Sequence, residues 1–191
     1  MALTPSTMLP LGTPCPDFNL PDTVGGRRVS RGDFSTEPLL VMFICNHCPF
    51  VKHVAPELAR IGREYAGKIG IVAVSSNDAA AYPADAPALM KDEAELQGYT
   101  FPYLHDETQG VARQFTAACT PDFFLFDHSH RLAYRGQLDG TRPTRVMSGV
   151  YTNENAPHGG DLRAAIEAVV AGKPPMGAQL PSIGCNIKWK A

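Results

Sequence analysis

No apolar run in this sequence approaches the roughly 20 residues of a membrane-spanning helix, so no membrane partner is expected. Charge of one sign is also missing. Lys and Arg number 17 against 19 Asp and Glu, a formal net charge of -2, which gives neither nucleic acid nor an anionic surface a reason to bind. Met1 to Gly12 lacks a basic segment followed by an apolar stretch, so no export signal is expected. Cysteine is present but not as a framework: five is an odd number, and a chain of 191 residues can bury a core without covalent staples. These absences together predict a reducing, cytoplasmic location, with thiols kept for chemistry or buried as small apolar groups. Repeats, low-complexity tracts and linkers are lacking too, so a single domain over 1–191 is expected, with a tail from 173 to 191.

What is present is concentrated at Cys45-Asn46-His47-Cys48. The motif follows an unbroken apolar run, Leu39 to Ile44, which reads as a strand buried on both faces. After it, Val51, Val54, Leu58, Ile61 and Tyr65 recur at spacings of three and four, one apolar face of a helix, with Pro56 expected to kink it. Ile69 to Val74 is a second buried strand. This strand–helix–strand run predicts a parallel pair with a right-handed crossover. Two thiols two residues apart can close a small ring, and a helix N-terminus stabilises a thiolate.

Further on, Asp85 reads as the N-cap of a helix to about Gln97, with Pro87 in its first turn. Tyr99 to Leu104 reads as a short strand, and Asp106 as the cap of a helix through Phe115. Phe123 to Phe126 and Leu132 to Arg135 read as an antiparallel pair. Thr141 to Gly160 reads as a long polar loop, and Asp161 as the cap of a last helix ending at Gly172. In the tail, Ile183, Ile187 and Trp189 call for burial, predicting a clasp anchored by Trp189.

The cysteine pair could instead be half of a zinc site. The other half should be a second tight pair, and Cys15, Cys119 and Cys185 are isolated. No metal site and no dissociable cofactor are therefore expected. Haem attachment would need His after the second Cys, where Pro49 stands.

The order of these elements, with Cys-x-x-Cys opening a kinked helix and Thr120-Pro121 leading into the antiparallel pair, resembles the thioredoxin fold. The opening segment Gly12-Thr13-Pro14-Cys15-Pro16-Asp17-Phe18-Asn19-Leu20 is similar to the N-terminal signature of the peroxiredoxin and redoxin branch. Cys45 to His53 and the tail Ile183 to Lys190 resemble a subgroup of peroxiredoxin-like thioredoxin-family proteins. The resemblance implies an α/β fold: a central mixed sheet flanked by helices, a redoxin-type N-terminal extension and a packed C-terminal tail.

It also implies roles. Cys45 would be the attacking thiol, partly exposed at the strand's end, and Cys48 the resolving thiol. His47 matches a histidine of protein disulfide isomerase, and would favour the Cys45 thiolate. That makes the pair less reducing than thioredoxin at about −270 mV. Thr120-Pro121 would be a cis pair lining the substrate groove, its backbone left to pair with an extended substrate. Cys119 and Cys185 are candidate auxiliary thiols, the latter with Lys188 and Lys190 lowering its pKa. Cys15 reads as structural. Substrates would be protein or small-molecule disulfides and thiols, with a thioredoxin- or glutathione-type electron donor and an antioxidant role.

The chain departs from these families in places. Ile44 stands where thioredoxin has Trp, and Leu39 where it buries an Asp. Aligned to peroxiredoxins, Cys45 replaces a Thr and Val41 a Pro, and the segment 119–126 has no Arg to polarise a peroxide. Disulfide exchange therefore ranks above peroxide reduction. Other readings are copper binding by the cysteines with His53 or His105, and a non-catalytic binding module using Arg142, Arg145 and His158 of the long loop.

Overall fold

The computed structural model describes residues 3–175 and 178–190; residues 1–2, 176–177 and 191, which the expected domain and tail included, lie outside them. The chain begins with short strands β1 (Leu3–Pro5), β2 (Asn19–Pro21) and β3 (Arg28–Ser30). Next come β4 (Leu39–Phe43), helix α1 (Pro49–Glu64) and β5 (Gly70–Ser75), then α2 (Pro87–Gln97) and β6 (Tyr103–His105). A short α3 (Gly110–Gln114) leads to β7 (Cys119–Thr120), β8 (Asp122–Phe126) and β9 (Leu132–Gly136). Two strands, β10 (Thr144–Met147) and β11 (Val150–Thr152), precede α4 (Gly160–Val170) and the tail strand β12 (Ile183–Asn186).

The main sheet runs in the order β6-β5-β4-β8-β9. β4 pairs parallel with β5, as expected, and antiparallel with β8, so the sheet is mixed. Side chains alternate across a strand, and here both faces are dry. Leu40, Met42 and Ile44 pack with Phe123, Leu125 and the α1 stripe of Val51, Val54, Leu58 and Ile61. Leu39, Val41 and Phe43 pack on the opposite side with Phe115, Phe124 and Phe126. Phe43 meets Phe115 and Phe124 edge-to-face, with ring centroids 5.4 and 5.8 Å apart. That is why the β4 sequence shows no polar alternation. α1 continues through Pro56.

Five local readings are revised. Ala86, not Asp85, is the N-cap of α2, because Asp85 is buried beneath the cysteine motif. Gly159, not Asp161, caps α4, and Asp161 accepts a hydrogen bond from Gln137 Nε2 instead. The strand at 99–104 shrinks to 103–105 because Tyr99 and Phe101 stack on each other. The long loop contains the hairpin β10–β11, closed by Ser148-Gly149 with Gly149 at φ +76°, a backbone that suits a residue without Cβ. α3 starts later than expected, although Asp106 still accepts the Ala112 N–H.

The tail does pack back, but not on Trp189. Its indole is 39% exposed under the Arg113 guanidinium, while Cys185 and Ile187 are buried. β12 is the middle strand of a second sheet, β1-β12-β7. Beyond it, Lys188 N–H donates to Asn77 Oδ1 and its carbonyl accepts from Asp78 N–H. Gln109 Nε2 donates to the same carbonyl, and Lys190 N–H returns a bond to Gln109 Oε1.

Asp122, first residue of β8, is fully buried and its pKa is pushed up to about 7, by burial above all. The folded protein therefore holds a proton that the unfolded chain releases near pH 4. The stability this contributes is complete below about pH 4 and lost as pH rises to about 7. Asp122→Asn is expected to flatten that limb and to raise stability at pH 8 by on the order of 2 kcal/mol. Urea unfolding at pH 4.5 and 8 checks this; equal pH dependence of the two proteins would refute it.

Candidate active site

Ile44 N–H still bonds the Val74 carbonyl, so Cys45 leaves the sheet at the end of its central strand. Cys48 is the N-cap of α1, with extended backbone and Pro49 at the first helical position. Pro49 removes an N–H that the first turn could not have paired. The sulfurs meet at the β7–β8 junction, where Thr120–Pro121 is a cis peptide. Cys45 Sγ lies 3.3 Å from Thr120 Oγ1, and Cys48 Sγ lies 3.2 Å from the Thr120 carbonyl oxygen.

A third sulfur joins them: Cys185 Sγ is 2.8 Å from Cys48 Sγ. It gets there because β12 pairs antiparallel with β7, Cys185 opposite Thr120 and Asn186 opposite Cys119. The groove beside Thr120, expected to be left for substrate, is filled by the chain's own tail. Cys119 points the other way, as successive strand residues must. Its Sγ contacts the Pro121 carbonyl, and burial pushes its thiol pKa far up. Cys15 is buried against the opposite sheet face, as a structural residue would be, and its pKa is pushed up to about 12 by burial.

Burial opposes a charge on Cys48, but hydrogen bonds from the Cys185 and Cys45 thiols and from the Val51 N–H outweigh it. The Cys48 pKa falls below the ordinary thiol range. The pKa of Cys45 rises, first through its hydrogen bond to Cys48 and then through burial. Cys185 rises for the same two reasons, and Lys188 does not offset them.

His47 is tied down by a residue that the sequence reading gave to a helix cap. Its Nδ1 donates to Asp85 Oδ2 at 2.7 Å. Asp85 also accepts from Asn77 Nδ2 at 2.8 Å and from the Asn46 N–H at 2.9 Å. Burial alone would raise the Asp85 pKa; these donors, His47 first, hold it below the usual carboxylate range. The His47 ring stacks on Tyr82, 9° from parallel. Cys45 Sγ, a His47 ring nitrogen and an Asp85 oxygen lie within 4.8 Å of one another. These three could hold a metal, but one sulfur with an imidazole and a carboxylate is a harder donor set than Cu(I) selects. Neither histidine named for copper joins the pair. Both ring nitrogens of His53 are engaged, by Asn153 and Thr141, and His105 ends β6.

A cleft of about 490 Å³ opens beside His47, Pro49 and Lys52. The β10–β11 hairpin forms its far wall with Arg145, Ser148, Gly149 and Tyr151. Cys45 is 1% exposed and does not line it; the partial exposure expected for Cys45 is not found, and His47 is the motif residue that reaches the cleft. Arg142 turns away to the Asp139 and Thr141 carbonyls, and the His158 N–H is spent on Asp139. Of the three loop residues considered for recognition, Arg145 alone borders the cleft.

The structure is similar to that of an uncharacterised conserved protein from Geobacillus kaustophilus. The two are 47% identical, with a TM-score of 0.91, over 100% of this chain and 97% of that one. It is also similar to the thioredoxin domain of a thiol-disulfide oxidoreductase from Bacteroides vulgatus. Here identity is 20% and the TM-score 0.57, over 70% of this chain and 90% of that one, a likeness of fold. A thioredoxin-like protein of Bacillus subtilis, YneN, is 27% identical over 116 residues, 61% of this chain and 65% of that protein. The match thus spans less than two thirds of that relative's length. The sequence profile of the AhpC/TSA family matches residues 11–135, a stretch that takes in the cysteine pair, Asp85 and Thr120–Pro121. With well over half of its length inside that match, the chain belongs to the AhpC/TSA family.

Proposed function

We propose that the protein is a thiol–disulfide oxidoreductase whose Cys45 and Cys48 cycle between dithiol and disulfide. The observation that carries this reading is the meeting of both sulfurs at Thr120, at the mouth of α1. Cys45, whose sulfur lies within 4.8 Å of a His47 ring nitrogen, gives up its proton. Cys45 then attacks a substrate disulfide, and one substrate thiolate departs. Cys48 attacks Cys45 in the mixed disulfide, forming the intramolecular bond and releasing the second thiol. His47, oriented through Nδ1 by Asp85, has Nε2 left to pass a proton to the departing sulfur. Admission of substrate requires the His47–Tyr82 layer to move aside. Electrons for the next cycle come from a thioredoxin- or glutathione-type donor in the reducing cytoplasm, which makes the role antioxidant.

Cys48→Ser is the direct test. With the resolving sulfur gone, a disulfide substrate should accumulate as a mixed disulfide on Cys45, readable by intact mass and peptide mapping, with a yield near one per chain. Substrate bound at any other cysteine, or at none, would end this reading.

A further inference from the structure

We propose that Cys185 is a third redox-active thiol, to which the disulfide is passed inward from Cys45–Cys48 to give Cys48–Cys185. The proposal rests on the reading of Cys45 and Cys48 as a redox pair, and it assigns the tail a part in that chemistry.

The geometry has two independent elements. The first is the order of the sulfurs. Cys48 Sγ lies beside Thr120, where Cys45 Sγ also lies, and is 2.8 Å from Cys185 Sγ, against about 2.05 Å for a disulfide bond. Exchange needs the attacking thiol to approach the sulfur of a disulfide, and Cys185 stands against the one sulfur that a Cys45–Cys48 bond would share with it. The second is how the tail is seated. β12 lies antiparallel on β7 with Cys185 opposite Thr120, an extended segment presenting its cysteine at the groove. A Cβ on Gly184 would collide with the Thr120 carbonyl oxygen, so this approach depends on glycine. β1 pairs with the other edge of β12, Leu3 opposite Cys185, and the Lys188 and Lys190 backbone bonds to Asn77 and Gln109 fix the segment beyond it. Cys185 is held where it is from both sides.

The step balances within the chain. Cys185 loses its proton and its thiolate attacks Cys48 Sγ. The Cys48–Cys185 bond forms, the Cys45–Cys48 bond breaks, and Cys45 leaves as a thiolate that takes up the proton. No outside oxidant or reductant enters. The result is an oxidised protein whose disulfide is buried under β12, while Cys45 is again a thiol.

The test uses the full-length protein, equilibrated in glutathione buffers of rising oxidised fraction, quenched in acid, alkylated and peptide-mapped. The expected oxidised protein carries a Cys48–Cys185 bridge with Cys45 alkylated. In Cys185→Ser the bridge should move to Cys45–Cys48 and Cys45 should lose its alkylation. If the inner bridge is favoured tenfold, the midpoint potential of the wild type lies about 30 mV below that of Cys185→Ser, a shift that a merely structural Cys185 would not produce. A wild type bridged only as Cys45–Cys48, with Cys185 fully alkylated, overturns the relay and leaves the redox pair standing. A wild type with no bridge under any buffer overturns both. The mapping of the wild type needs no variant to fold.

Discussion

Cys45→Ser is expected to lose turnover of disulfide substrates by about a thousandfold or more, while folding as the wild type does. The size of the effect follows from chemistry: a serine hydroxyl neither ionises near neutrality nor forms a bond that a second thiol can resolve, and deleting a covalent nucleophile removes the pathway. Intact folding follows from the surroundings. The contact 3.3 Å from Cys45 Sγ is a threonine hydroxyl, which accepts a serine in place of a thiol. Reduction of a small disulfide, coupled to glutathione or dithiothreitol, measures the loss, and circular dichroism checks the fold. Turnover within tenfold of the wild type would place the chemistry on another sulfur. The same preparation separates exchange from peroxide reduction. Disulfide turnover is expected to exceed hydrogen peroxide consumption, because the site offers the peroxide oxygens Thr120 and His47 but no arginine from segment 119–126.

Asp85→Ala should destabilise the protein by about 3–5 kcal/mol, the range for breaking a buried charged network from one side. The carboxylate is 0% exposed and receives three donors, from His47, Asn77 and the Asn46 backbone. Removing it strands all three. Asp85→Asn is milder, about 1–3 kcal/mol, but not neutral. An amide has one acceptor atom, so its NH2 must face either the Asn46 N–H or the Asn77 amide, donor against donor. The pH dependence gives a second reading. The folded pKa of Asp85 is depressed, so its contribution is present above about pH 4 and fades as pH falls through the folded value. The acid limb of the stability curve should therefore flatten in Asp85→Asn. Urea titrations at pH 7 and pH 3 check both; an Ala variant within 1 kcal/mol of wild type would mean that Asp85 carries no such network.

Much of the scaffold can be read from periodicity. The five apolar residues of β4 and the three-and-four spacing in α1 are enforced by burial, and burial leaves its mark on composition. Asp85 could not be read that way. An Asp two residues before a Pro-led helix looks like a cap in any sequence, and only the folded chain shows that its carboxylate turns to residues 46, 47 and 77. Cys185 stood out as a candidate thiol, but the strand that seats it did not: β12 is four residues long, with no alternation to distinguish it from a loop. The hairpin was legible and overlooked. Ser148-Gly149 between Val146-Met147 and Val150-Tyr151 is a two-residue turn signal, masked by the polar, Gly- and Pro-punctuated context around it. The sulfur electrostatics lay beyond reach, because they depend on which thiol stands in the middle.

β12 joins Leu3 to Cys185 across nearly the whole sequence, and contacts of such high order form late in folding. The β4–α1–β5 unit, whose pairings are local by comparison, can take shape before the last strand closes over it. During that interval Cys45 and Cys48 stand uncovered, open to oxidants and stray thiols from which β12 shields them in the finished protein.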